Sequence, residues 1–139
     1  MSNPLPDDVR QLVAERAGFC CEYCLIPDSQ SFIPHQIDHI IARKHRGQST
    51  LDNLAYSCAL CNKRKGSDIA SWDELTDQIV PLFHARHDVW SDHFRLDGAT
   101  IEPLSPVGRV TVQLLQLNRP VLLAERELLI ALELLTTPQ

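Results

Sequence analysis

The 139-residue sequence has no uninterrupted apolar run long enough to cross a bilayer, which takes about 20 consecutive apolar residues. Its opening residues, MSNPLPDDV, are polar and acidic and hold no apolar core of a secretory signal. Internal repeats and low-complexity tracts are also missing, which argues against a repeat array or a biased linker. The chain lacks a basic balance. Its net charge is −5, so it should not hold nucleic acid tightly at long range. What is left is a globular chain with one core, expected as a single domain over residues 1–139 and expected in the cytoplasm. An apolar content of 44% excludes wholesale disorder. In that compartment paired cysteines bind metal more often than they form disulfides.

The charge that is present is unevenly placed. Between residues 39 and 66 the six basic residues Arg43, Lys44, Arg46, Lys63, Arg64 and Lys65 face only Asp52, a local +5 that leaves −10 for the remainder. A basic patch on an acidic body can grip a phosphate backbone locally. A solvated charged face explains any one of these residues, but less well their concentration in one window.

Four of the five cysteines fall into two pairs at matched spacing, Cys21-x-x-Cys24 and Cys58-x-x-Cys61. A two-residue gap lets two thiolates converge on one ion at about 2.3 Å each, and two such pairs complete a tetrahedron. Four sulfurs leave no open position, so such a zinc is structural and can supply on the order of 10 kcal/mol of folding free energy. Two disulfides or a redox pair are the weaker readings. Cys20 reads as a small apolar packing residue, or as a competitor of Cys21 for the ion.

Helical periodicity and end signals predict a first helix over 7–17, behind Pro4 and Pro6, with acidic residues at its start and Gly18 as its stop. A strand follows over 32–38, with Pro34 placing it near an edge. Residues 40–53 read as a polar loop, 54–57 as a second strand and 59–66 as a short helix. Beyond it, Ser71 and Glu74 match a capping box, but Pro81 leaves little room for a helix, so a turn is favoured there. Residues 78–83 read as extended and 88–94 as one or two helical turns. Asp97-Gly98 marks a hairpin. Ser105 caps a helix with Pro106 at its first position, ending near Asn118, and Pro120 starts another running to about residue 135. That last helix has apolar residues on more than one face, so either both faces are buried within the domain or one meets a second chain.

The stretches DHIIARKHRG and DNLAYSCALCNKRKG, together with the two cysteine pairs, resemble the HNH endonuclease family in its zinc-clamped branch. The similarity is specific over 21–66. The segments IVPLFHARHDVWSDHF and PVGRVTVQLLQLNRP also resemble an extension found in bacterial HNH proteins. The resemblance implies an α+β fold: a ββα-metal core over 18–67, clamped by a four-cysteine zinc site and preceded by the N-terminal helix. A hairpin-plus-two-helix extension over 68–139 completes it.

It also implies site roles. His39 would be the general base that takes a proton from water. Asp38 and Asn62 would hold a catalytic divalent ion, magnesium or manganese by their oxygen chemistry. Asn53 would fix the loop and the orientation of His39. Two positions depart from the common pattern: Asn62 stands where the family name has histidine, and Arg46 stands where many members have a glycine.

The function so implied is metal-dependent hydrolysis of DNA, by nicking or double-strand cleavage, leaving a 5′-phosphate and a 3′-hydroxyl. Lys65, Arg64, Arg43 and Lys44 are the phosphate-contact candidates, Lys65 first because it follows Asn62 on the same short helix. His35 and His93 read as packing or hydrogen-bonding residues, and His45 as a surface or phosphate contact. Each site residue has a plain structural explanation taken alone; the set does not. The alternatives are a zinc-stabilised nucleic-acid-binding module without catalysis, and a protein-interaction scaffold using the leucine-rich last helix. The expected partner is DNA and not a membrane, with the chain a monomer or a homodimer through that helix.

Overall fold

Pro6 fixes the backbone ahead of two aspartates that favour the positive end of a helix. In the computed structural model, which describes residues 5–138, helix α1 spans Asp7–Arg16 there. Pro4 lies outside the described residues. The first strand, β1, is Gln36–His39 and not the longer run expected from residue 32. Phe32 and Ile33 stand exposed, and Pro34 has no N–H for a ladder, so pairing begins only after it. β1 pairs antiparallel with β2, Leu54–Ser57, in a register that sets Gln36 against Ser57 and His39 against Leu54. Helix α2, Ala59–Lys65, follows at once. The α+β class and the strand-loop-strand-helix order of the core are as the sequence implied.

In the extension the turn ahead of an extended segment is as expected, and Ser71 and Glu74 cap no helix; the strand before the turn was not expected. Ala70–Asp73 is strand β3, paired with β4, Gln78–Pro81. The Asp73 carboxylate closes the turn by accepting from the Thr76 amide and hydroxyl, the local bond that such residues also use at caps. The extension therefore holds two hairpins, because β5, Phe94–Asp97, pairs with β6, Thr100–Pro103, around the expected turn. A one-turn helix α3, Trp90–His93, leads into β5. Helix α4, Pro106–Leu115, begins at Ser105, whose Oγ accepts from the Gly108 amide. Helix α5, Pro120–Ala131, stops short of residue 135 as the chain reaches a left-handed Glu133.

One apolar cluster carries the four paired cysteines with Tyr23, Phe83, Trp90, Phe94, Leu115, Leu122 and Leu129, so the thiols share their core with the extension. Val13 and Ala14 of α1 instead pack with Leu54 and Tyr56 of β2. In α5, Leu122, Arg126 and Leu129 are buried, while Val121, Leu128 and Ile130 remain exposed, so among the described residues only one of its apolar faces is covered.

Candidate functional site

The four thiols of Cys21, Cys24, Cys58 and Cys61 lie within 4.8 Å of one another and are all buried. Cys24 Sγ and Cys58 Sγ are 3.6 Å apart, close to the roughly 3.8 Å edge of a tetrahedron with zinc–sulfur bonds of about 2.3 Å. Each pair forms the same small turn: the Cys24 amide donates to Cys21 Sγ and the Cys61 amide to Cys58 Sγ, both at 3.4 Å. Cys58 is also the N-cap of α2. Hydrogen bonds from the other three thiols hold the Cys58 thiol far below its ordinary pKa. A compact set of soft thiol donors, joined by no further His, Asp or Glu among the described residues, fits a closed zinc site. Cys20 stands apart, half-buried, with its thiol donating to the Gly18 carbonyl.

Strand β1 and helix α2 face each other through two polar rungs. Gln36 and Asp38 are two residues apart on one strand face; Asn62 and Lys65 are three apart on one helix face. Asn62 Nδ2 donates to Gln36 Oε1. Lys65 Nζ lies 3.2 Å from Asp38 Oδ1 and also donates to the carbonyls of His39 and Ile40 at 3.3 and 3.0 Å. The Tyr23 hydroxyl donates to Asp38 Oδ2 at 2.8 Å. Asp38 is buried, and burial pushes its pKa up while Lys65 and Tyr23 pull it back. Lys65, expected first among the phosphate contacts, is 1% exposed and turns its charge inward. Its position three residues after Asn62, on the strand-facing side of α2, was the signal that placed it there.

His39 ends β1, half-exposed, its Nε2 2.8 Å from Ser49 Oγ. Arg43 donates from Nη2 to the same hydroxyl at 3.0 Å and from Nε toward His39 Nε2 at 3.5 Å. Donors converging on Nε2 favour the tautomer with its proton on Nδ1. Burial, and after it the Arg43 guanidinium, lower the His39 pKa below its ordinary value. The imidazole is thus held neutral near pH 7, with a lone pair for a proton.

Asn53 touches the loop and not His39. Its Oδ1 accepts from the Ile41 amide at 2.9 Å, and its Nδ2 donates to the carbonyls of Ile41 and Gln48 at 3.0 and 2.8 Å. Gly47 lies under this staple; a Cβ there would sit 1.6 Å from the Ile41 carbonyl oxygen. Arg46 adopts the left-handed conformation, φ 71°, that glycine takes more cheaply. His45 Nε2 pairs with the Ser67 carbonyl and ties the loop to the end of α2. Arg43, Lys44, Arg46, Lys63 and Arg64 are exposed around this site. His35 bonds the Ile26 carbonyl and stacks at a tilt on Tyr56, and His93 bonds Ser105.

Residues 21–68 match the family model described as HNH endonuclease. No curated protein and no solved structure shows a significant match to the chain. The matched stretch contains both cysteine pairs, the β1–loop–β2–α2 order, and Asp38, His39, Asn53 and Asn62. Residues 21–68 are thus similar to HNH endonuclease family domains, around a cluster of four cysteines that could hold a metal ion.

Proposed function

We propose that this protein hydrolyses DNA phosphodiester bonds with a catalytic divalent ion, on a frame held by structural zinc. The observation that carries the reading is His39: a half-exposed imidazole at the end of β1, next to a buried carboxylate and within a basic surface. Asp38 and Asn62 are the residues that would hold a magnesium or manganese ion. Their oxygens suit a hard cation, and Asp38 keeps carboxylate lone pairs beyond the two used by Lys65 and Tyr23. When bound, such an ion supplies charge neutralisation at the phosphate and at the leaving oxygen.

The chain's own residues do the rest. His39 takes the proton of the attacking water at Nε2, once substrate and water displace Ser49 from it. Asn53 is a positioning residue that keeps the 40–53 loop, and with it Ser49 and Arg43, against His39. Arg43, Lys44 and Arg64 grip the backbone. Without Lys65, about three phosphates are neutralised, for a slope of log affinity on log salt near −2.7. The extension over 68–139 works with the 18–67 core as one unit because the two share a hydrophobic cluster. Free cysteines are consistent with a cytoplasmic protein.

A second reading, a zinc-stabilised nucleic-acid-binding module without catalysis, draws support from the two partners already on Asp38. Supercoiled plasmid separates the two. Protein with its zinc content verified is freed of other ions and then given magnesium or manganese. Nicking that needs the added ion and is lost in His39→Ala, with DNA retention unchanged, supports the nuclease. Retention without nicking under every ion supports the module. Adding the ion back is preferable to a chelator alone, which also strips zinc.

A further inference from the structure

Arg126 occupies a position that the pattern of α5 reserves for leucine. It lies four residues after Leu122 and three before Leu129, on the same buried face, and it is 0% exposed. A buried guanidinium ordinarily has a carboxylate beside it. Among the described residues Arg126 has none at ion-pair distance: Asp28, Asp38, Glu22, Glu102 and Asp73 are each paired elsewhere. Its acceptors are all neutral. Nε donates to the Ala99 carbonyl at 2.6 Å, Nη1 to the Cys24 carbonyl at 3.2 Å, and Nη2 to the Leu117 carbonyl at 2.7 Å and Asn118 Oδ1 at 3.0 Å. Four neutral dipoles engage four of the five N–H donors without cancelling the charge.

The missing anion is next door. Leu122 and Leu129 pack into the cluster that contains all four paired cysteines, and Arg126 binds the main chain of one of them. Four thiolates around a zinc ion carry a net −2, a buried charge that itself needs compensation.

We propose that Arg126 is the counter-charge of the zinc–thiolate centre, so that metal loading and the docking of α5 are linked. Zinc binding then stabilises the far end of the chain through charge as well as through the core. The link joins Cys24 to a residue 102 positions away. The proposal rests on zinc in the four-sulfur site. Wild-type protein purified with no zinc, and binding none, would overturn both that reading and this one. A zinc-binding wild type with no charge dependence would overturn only this one.

The test is competition for zinc between the full chain and a chromophoric chelator. Arg126→Met, of similar length and uncharged, is expected to weaken zinc binding by about 10- to 100-fold. Arg126→Lys should show an intermediate loss. Asn118→Ala removes one acceptor and keeps the charge, so it should lower the thermal midpoint yet hold zinc near the wild-type affinity. A purely structural cage predicts the opposite: Arg126→Met and Asn118→Ala lower the midpoint with zinc affinity unmoved, and that result overturns the proposal. If Arg126→Met does not fold, wild type and Arg126→Lys are compared with cobalt in the site. The cobalt–thiolate absorption should move to longer wavelength as the shorter lysine draws its charge back, and an unmoved band overturns the proposal.

Discussion

Lys65 Nζ lies 3.2 Å from Asp38 Oδ1, and neither side chain reaches solvent. The pair joins the strand that ends in His39 to the helix that carries Asn62, so the geometry of the site depends on it. Lys65→Met would leave a buried carboxylate facing an apolar chain. Removal of one partner from a buried pair costs about 3–5 kcal/mol, and urea unfolding should register a loss of that order. A lysine acting only on phosphate would leave the urea midpoint unchanged and reduce the salt slope instead.

Loss of the imidazole should remove activity and leave the fold. His39→Ala is expected to abolish nicking while melting cooperatively near the wild-type midpoint, since His39 is only half-buried. The pH dependence follows from the direction of its shift. A base works unprotonated, above its pKa, and burial and Arg43 lower that pKa. The acidic limb of the rate profile should therefore lie below about 6.5, the ordinary histidine value. Arg43→Gln should move the limb upward, read as the ratio of rates at two pH values so that weaker DNA binding cancels.

The thiol cluster is expected to hold the fold and to take no part in chemistry. Cys58→Ala removes both a metal ligand and the N-cap of α2. A structural zinc on the order of 10 kcal/mol rivals the whole stability of a domain, about 5–15 kcal/mol. The variant should bind no zinc by metal analysis and show no cooperative melt. A folded, zinc-free Cys58→Ala protein would remove the clamp from the account.

The loop over 40–53 offers two graded changes. Gly47→Ala drives a methyl into the Ile41 carbonyl, which is backbone and cannot turn aside. Asn53→Ala strips three hydrogen bonds from Ile41 and Gln48, worth about 1 kcal/mol each. Both should lower the nicking rate more than DNA affinity, because they displace Ser49 and Arg43 relative to His39. Arg46→Gly should relieve a left-handed arginine and cost little stability or raise it slightly, by thermal melting.

Acid should attack the extension through Asp73. Hydrogen bonds from Arg109, and after them from Thr76, hold its carboxyl well below the usual range. A carboxylate whose folded pKa is depressed stabilises above its unfolded value and loses that contribution as pH falls through the folded one. Wild type should thus lose stability below about pH 4, and Asp73→Asn should flatten that part of the curve. An unchanged slope would mean the α4–β3 link carries no pH dependence.

Much of the site was legible because its signals are local. The paired spacing of Cys21, Cys24, Cys58 and Cys61 and the end signals of α1, α2 and α4 act over a few residues. The β5–β6 turn does the same, and the structure keeps them. What was missed has one cause. The turn ahead of the extended segment was legible, but not the pairing that makes Ala70–Asp73 a strand, whose partner is β4. Strand pairing leaves no local record because its bonds come from another segment. Phe32 and Ile33 read as strand by type, but Pro34 cut them off from any partner.

The sequence by itself determined the pairing of the four cysteines and the core order, since thiol spacing and hydrogen-bonded turns are decided within a few residues of chain. Tertiary structure alone decided the fate of the charges. Lys65 turns inward to Asp38, and Arg126 enters a leucine position among the carbonyls of Cys24, Ala99 and Leu117. A charge is buried only where a compensating group from elsewhere in the chain is brought against it, and no local pattern records that meeting.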